Sequence, residues 1–153
     1  MCNGYRIFIA GIIQGSKKGV DIHDQTYRYA IKNILMNTFP NSTLFCPVEN
    51  HPNSTLYDDK KAKTVFFKHL DILRQSHSLI VYLPEASLGC GIEMWESYQR
   101  KMVTVTISPL ITNWVVRLLS DKVCETIDGF RDFIESGEMG KLLHSRFPEV
   151  EEG

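Results

Sequence analysis

Residues 87–93 read Ser-Leu-Gly-Cys-Gly-Ile-Glu. They follow an apolar run and Pro84, so they sit at a strand's carboxyl end and open a helix. Gly89 and Gly91 permit close backbone approach and positive φ. Free N–H groups and the helix dipole at such a place favour an anion, and the Ser87 hydroxyl adds a donor. Glu93 is expected in the first helical turn, facing the same crevice, where the dipole keeps it ionised near neutral pH as a carboxylate nucleophile requires. The plainer alternative is a first-turn acid that only satisfies helix N–H groups.

A second polar segment follows the first apolar run. Gly11-Ile12-Ile13-Gln14-Gly15-Ser16-Lys17-Lys18-Gly19 lacks the spacing of a dinucleotide fingerprint and the Gly-Lys-Ser/Thr of a P-loop. It offers backbone N–H groups, an amide, a hydroxyl and two ammonium groups, or else a solvated loop. Glu49-Asn50-His51 closes the second run; Glu49 is a candidate for a base edge or an acid, with a turn as the alternative. Asp24 reads as a helix cap and His23 as a surface residue. Asn113 precedes the Trp114 helix as a natural N-cap. Met94, Trp95, Tyr98 and Trp114 read as core or interface. The five histidines form no metal cluster and the four cysteines have no zinc spacing, so neither metal nor cofactor is expected.

The elements that must position these groups alternate. Apolar runs at Ile7–Ala10, Leu44–Val48 and Leu79–Leu83, the β-branched stretch Val103–Ile107 and a short stretch at Val123–Thr126 read as strands. Between them lie helical faces: Tyr27, Ala30, Ile31, Ile34 and Leu35; Phe66, Leu70 and Leu73 between Thr64 and Gln75; a helix running to about Gln99; and Trp114–Leu119. Phe130, Phe133 and Ile134 mark a final helix capped by Gly137. Asn50–Asp59 reads as a loop. Five strands alternating with helices imply an α/β fold, a mostly parallel sheet covered on both faces, with ligands beyond the strands' carboxyl ends.

Composition limits the partners. With 153 residues, residues 1–148 are expected to form one domain and 149–153 a frayed tail. Seventeen Lys and Arg balance eighteen Asp and Glu, so no nucleic-acid polymer or anionic membrane is called for. No apolar run reaches membrane-spanning length, and no signal peptide is read, which implies a cytoplasmic protein with free thiols.

Together the two glycine-bearing segments resemble the nucleoside 2-deoxyribosyltransferase superfamily, nearest to the 2′-deoxynucleoside 5′-monophosphate N-hydrolases. The first carries Ala10-Gly11-Ile12-Ile13-Gln14-Gly15-Ser16, and the second the fairly specific Ser87-to-Glu93 motif. The resemblance spans about Arg6 to Leu143 and is thin between Asn50 and Lys68. It implies a flavodoxin-like or Rossmann-like three-layer domain with a five-stranded sheet, forming homodimers or larger oligomers. It also implies cleavage of the N-glycosidic bond of a small-molecule nucleotide. Glu93 takes the nucleophile's place, attacking the anomeric carbon; water then gives hydrolysis, or a second base gives transfer. Gly11, Gln14, Gly15, Ser16, Ser87, Gly89 and Gly91 fall at substrate-binding positions, and Asn113 where the family reaches into a neighbour's site. Transferases usually carry an acid where Ser87 stands; a neutral hydroxyl suits a phosphate. Two positions depart from the pattern. Phe8 stands where the family has a tyrosine. For the aspartate near the leaving base the candidates are Asp71, the better chemical match, and His69, nearer the register. These departures keep a non-catalytic nucleotide-binding module open as a rival, beside a glycosidase acting on another nucleotide such as a dinucleotide cofactor.

Overall fold

The computed structural model describes residues 4–150. Cys2 and the last three residues of the expected tail lie outside them.

β1 (Arg6–Gly11), β2 (Thr43–Phe45), β3 (Ser78–Tyr82), β4 (Val103–Ile107) and β5 (Lys122–Cys124) form one sheet in the order β2-β1-β3-β4-β5. Every neighbouring pair is parallel, with Ile7 opposite Ser78 and Gly11 opposite Tyr82 in the central pair. The architecture is the expected three-layer α/β fold, and its sheet is wholly parallel. The helices are α1 (Tyr27–Thr38), α2 (Pro47–Asn50), α3 (Asp59–Arg74), α4 (Leu88–Gln99), α5 (Trp114–Leu119), α6 (Ile127–Glu135) and α7 (Glu138–Arg146).

Strand alternation divides the core. Ile7 and Ile9 turn to the face covered by α1, α6 and α7, joining Ile31, Leu35, Phe130 and Leu143. Phe8 and Ala10 turn to the face covered by α3, α4 and α5, joining Leu73, Leu79, Met94 and Val116.

Three local readings change. The run Leu44–Val48 is only in part a strand: Pro47 stands at the first position of α2, where its fixed φ suits a helix start. α3 begins at Asp59, because the Asp58 side chain accepts from the Lys61 N–H at 2.8 Å. Gly137, at φ 80°, ends α6 as expected, yet α7 follows at once. Within the expected tail, Val150 packs against the core of the α1 face.

Candidate active site

Strand order reverses beside β1, and a ligand crevice belongs at the carboxyl end of such a switch point. A cavity of about 240 Å³ lies there, reached by Gly11 at the end of β1 and by Gly89 and Glu93 on α4. Gly11 is a required glycine, since a Cβ would fall on the Tyr27 ring, whose hydroxyl donates to the Ile12 carbonyl at 2.9 Å.

α4 begins earlier than the sequence suggested. Ser87 is extended and its Oγ accepts from the Cys90 N–H at 3.4 Å, so the helix starts at Leu88 and takes in both glycines. Neither has positive φ. The Gly91 N–H is committed to the Ser87 carbonyl at 3.1 Å, which leaves the Leu88 and Gly89 N–H groups as the free donors of the first turn. A Cβ at either glycine would meet nothing within 4 Å. Gly89 stands one turn before Glu93 on the same helix face, so the missing side chain opens the carboxylate to the cavity.

Glu93 is therefore in the second turn, beyond the reach of the dipole at the helix start. Burial pushes its carboxyl up to about 7, against the opposing pull of the Arg28 guanidinium. The expectation of a fully ionised first-turn carboxylate gives way to one poised near neutrality. Glu93 is the one carboxylate among the residues lining the cavity.

The opposite wall comes from α3 and the connection before it. His51, Tyr57, Phe66 and His69 line it with Pro47 and Val65. His51 Nδ1 lies 2.9 Å from the Tyr57 hydroxyl, and the His51 and His69 rings are 5.3 Å apart. His69 Nε2 is buried without a hydrogen-bond partner. Burial, then the neighbouring His51 and Lys68, push the His69 imidazole down to about 4. It is neutral at physiological pH.

The two candidates for the leaving-group residue thus separate. His69 lines the cavity, whereas Asp71 is exposed on the outer face of α3, paired with Arg74 at 2.9 Å. Glu49 is likewise drawn off, into a 2.8 Å ion pair with Lys32. Phe8 is fully buried against Phe45, with ring centroids 5.2 Å apart.

In the first loop, Gln14 donates to the Gly19 carbonyl at 2.6 Å and Gly15 takes φ 56°, while Ser16 is exposed. None of these three lines the cavity. His23 Nε2 meets Glu85 Oε1 at 2.7 Å, tying this loop to the turn before α4. Asp24 accepts from the Thr26 N–H at 2.8 Å and shapes the turn into α1.

Ser87, Gly91 and Asn113 line a second, largely apolar depression of about 500 Å³ between α4 and α5, and Ile92 borders both spaces. Asn113 caps α5, accepting from Val115 and Val116 N–H groups at 3.0 and 3.3 Å. The substrate-binding positions expected from sequence therefore fall into two neighbouring spaces and one loop. Sequence reasoning missed Arg28 and Tyr57 and gave His51 only a turn. A signal existed for Arg28: it precedes Ile31 and Leu35 by three and seven residues, which places it on the buried face of α1.

Among the described residues no group of three or more His, Cys, Asp or Glu could hold a metal ion, and no helix is long and apolar enough to cross a membrane.

No family model and no curated protein sequence matches the chain. Solved structures do. A conserved protein from Enterococcus faecalis V583 superposes with a TM-score of 0.63 at 16% identity, over 87% of this chain and 98% of that one. A 2-deoxyribosyltransferase from Bacillus psychrosaccharolyticus, characterised as a biocatalyst for nucleoside synthesis, superposes with a TM-score of 0.59 at 16% identity, over 83% and 90%. At that identity the likeness establishes architecture: this chain has the fold of a 2-deoxyribosyltransferase.

Proposed function

We propose that the chain is an N-glycosidase that hydrolyses the base–sugar bond of a nucleoside or deoxynucleoside 5′-monophosphate, as its resemblance to the monophosphate N-hydrolases implies. The observation that carries the reading is the lone cavity carboxylate, Glu93, opposite an apolar and aromatic wall, at the carboxyl end of β1. A Glu93 oxygen attacks the anomeric carbon while the bond to the base breaks, and the base departs with the bonding electrons. Water then attacks the same carbon, loses a proton and releases the carboxylate, the two-step logic of retaining glycosidases. The Phe66 and His51 wall suits a flat base, and His69, not Asp71, meets its departing edge. The Ser87 hydroxyl and the free Leu88 and Gly89 N–H groups are the anion-binding set for the 5′-phosphate.

The active unit is a homodimer or larger homo-oligomer in this reading. Leu88, Ile92, Trp95 and Val115 expose apolar surface around the second depression, where a second copy would cover it and bring its chain to Asn113.

Chromatography of free base from ribo- and deoxyribonucleoside 5′-monophosphates and the parent nucleosides tests the proposal, with Glu93→Ala beside the wild type. Release from monophosphates alone, lost in the variant, is the expected result. Release from nucleosides, with transfer to an added base, would move the reading to a deoxyribosyltransferase. A binding module has one observation in its favour: Phe8 supplies no hydroxyl near the nucleophile and is locked in the core. Nucleotide binding without base release would make that reading the correct one.

A further inference from the structure

Arg28 is a buried cation with no carboxylate partner. It is 6% exposed. Its guanidinium donates through Nε to Gln25 Oε1 at 2.8 Å, through Nη1 to the Ile9 carbonyl at 3.3 Å and Cys46 Sγ at 3.4 Å, and through Nη2 to the Gly11 carbonyl at 3.0 Å. Every acceptor is neutral. Among the described residues no Asp or Glu oxygen lies within ion-pair distance. A guanidinium cannot shed its proton, so the charge stays. Neutral acceptors satisfy its hydrogen bonds but do not cancel a buried charge, which is costly to leave uncompensated.

The cavity holds the compensation. Arg28 and Glu93 line the same space, one from α1 and the other from α4, and they are the only Lys, Arg, Asp or Glu among its lining residues. We propose that Arg28 is a positioning residue for Glu93, a fixed cation that supplies the countercharge of the ionised carboxylate across the cavity. This rests on the reading of Glu93 as nucleophile. The four donated bonds, two of them to β1 carbonyls, fix the cation in place, so it orients the carboxylate without reorganising as charge changes. When Glu93 bonds to the sugar its negative charge is lost, and Arg28 favours its return on hydrolysis. The pull of Arg28 on the Glu93 carboxyl agrees with this geometry. The other titratable groups around the pair are Cys90 on α4, Tyr27 on α1, Cys46 after β2, His51 and Tyr57 from the β2–α3 connection, and His69 on α3.

Carbon NMR of side-chain-labelled glutamate, assigned with Glu93→Gln, reads the Glu93 titration without turnover. In Arg28→Met its midpoint rises by about one pH unit, a tenfold loss of carboxylate below the midpoint. In Arg28→Lys it stays near the wild-type value. The acid limb of the base-release profile moves with it. A midpoint unmoved in Arg28→Met, or raised equally in Arg28→Lys, overturns the proposal. Nitrogen NMR of the wild-type guanidinium needs no Arg28 variant and so decides the matter if Arg28→Met does not fold. The Arg28 resonances should shift through the Glu93 midpoint and stand still in Glu93→Gln; resonances that stand still in the wild type also overturn it. A protein that releases no base yet shows the coupled titration would sink the glycosidase reading and leave this pairing intact.

Discussion

Glu93 on α4 and His69 on α3 line one cavity with their ionisations displaced in opposite directions, the carboxyl up to about 7 and the imidazole down to about 4. A nucleophile must be ionised and a general acid protonated. Above 7 the carboxylate is present and His69 has long lost its proton; below 4 the reverse holds. The two are never in their active forms together as majority species. Base release should therefore rise with pH through a single limb near 7, with no fall traceable to His69 on the alkaline side. A kcat/KM profile over pH 4–9 checks this, and a bell with an alkaline limb that vanishes in His69→Gln would show the imidazole acting as a charged acid.

In the proposed reaction a neutral His69 is left a narrower task, a hydrogen bond to the departing base. A full general acid contributes roughly 10²–10⁴-fold. A single buried hydrogen bond is worth about 1–2 kcal/mol, or roughly 5–30-fold. His69→Ala should lower kcat within the smaller range and leave the acid-limb midpoint in place. Asp71→Asn should change neither kcat nor KM noticeably, because its carboxylate serves an exposed pair with Arg74. Side-by-side kinetics of the two variants settle which position handles the base.

Glu93 also makes a stability prediction. Its folded value, about 7, lies above the ordinary 4.5, so folding favours the protonated carboxyl. That contribution is complete below about 4.5 and is lost as pH rises through 7. Glu93→Gln mimics the protonated form. It should be more stable than the wild type at pH 8, by about 3 kcal/mol, and equal to it near pH 4.5. Urea unfolding at the two pH values measures the difference; equal midpoints at pH 8 would mean the carboxyl is well solvated.

The sequence carried much of this. β4 and α5 have the limits that the sequence predicts, and β3 is shifted by one residue at both ends. β3 carries a continuous apolar run, β4 a β-branched one, and α5 the Asn113 cap at its edge. The apolar face of α3 does not mark its first turn, which is polar and starts at the Asp58 cap. α7 is not legible because it follows α6 directly across Gly137 with few apolar residues. Of the cavity lining, Gly11, Gly89 and Glu93 are legible from the two motifs, and His69 from register as one of two candidates beside Asp71. Arg28 is marked only by its place on the buried face of α1, and His51 and Tyr57 carry no such mark, because they reach the cavity from separate segments that only the parallel crossovers bring together.

Gly11 and Gly89 line the same cavity, and substitution with alanine separates packing from function. At Gly11 the Cβ collides with the Tyr27 ring, so Gly11→Ala should cost about 1–3 kcal/mol and displace the hydroxyl from the Ile12 carbonyl. At Gly89 nothing stands within 4 Å of the added carbon, and the backbone is helical. Gly89→Ala should gain about 0.5 kcal/mol of stability by restricting the unfolded chain. The same methyl projects into the space before Glu93, so KM for a nucleoside monophosphate should rise severalfold or kcat fall. A variant more stable and less active than the wild type is the expected outcome, read by thermal unfolding and base release on one preparation. Unchanged kinetics in that stabilised variant would show that the substrate does not pass over the start of α4.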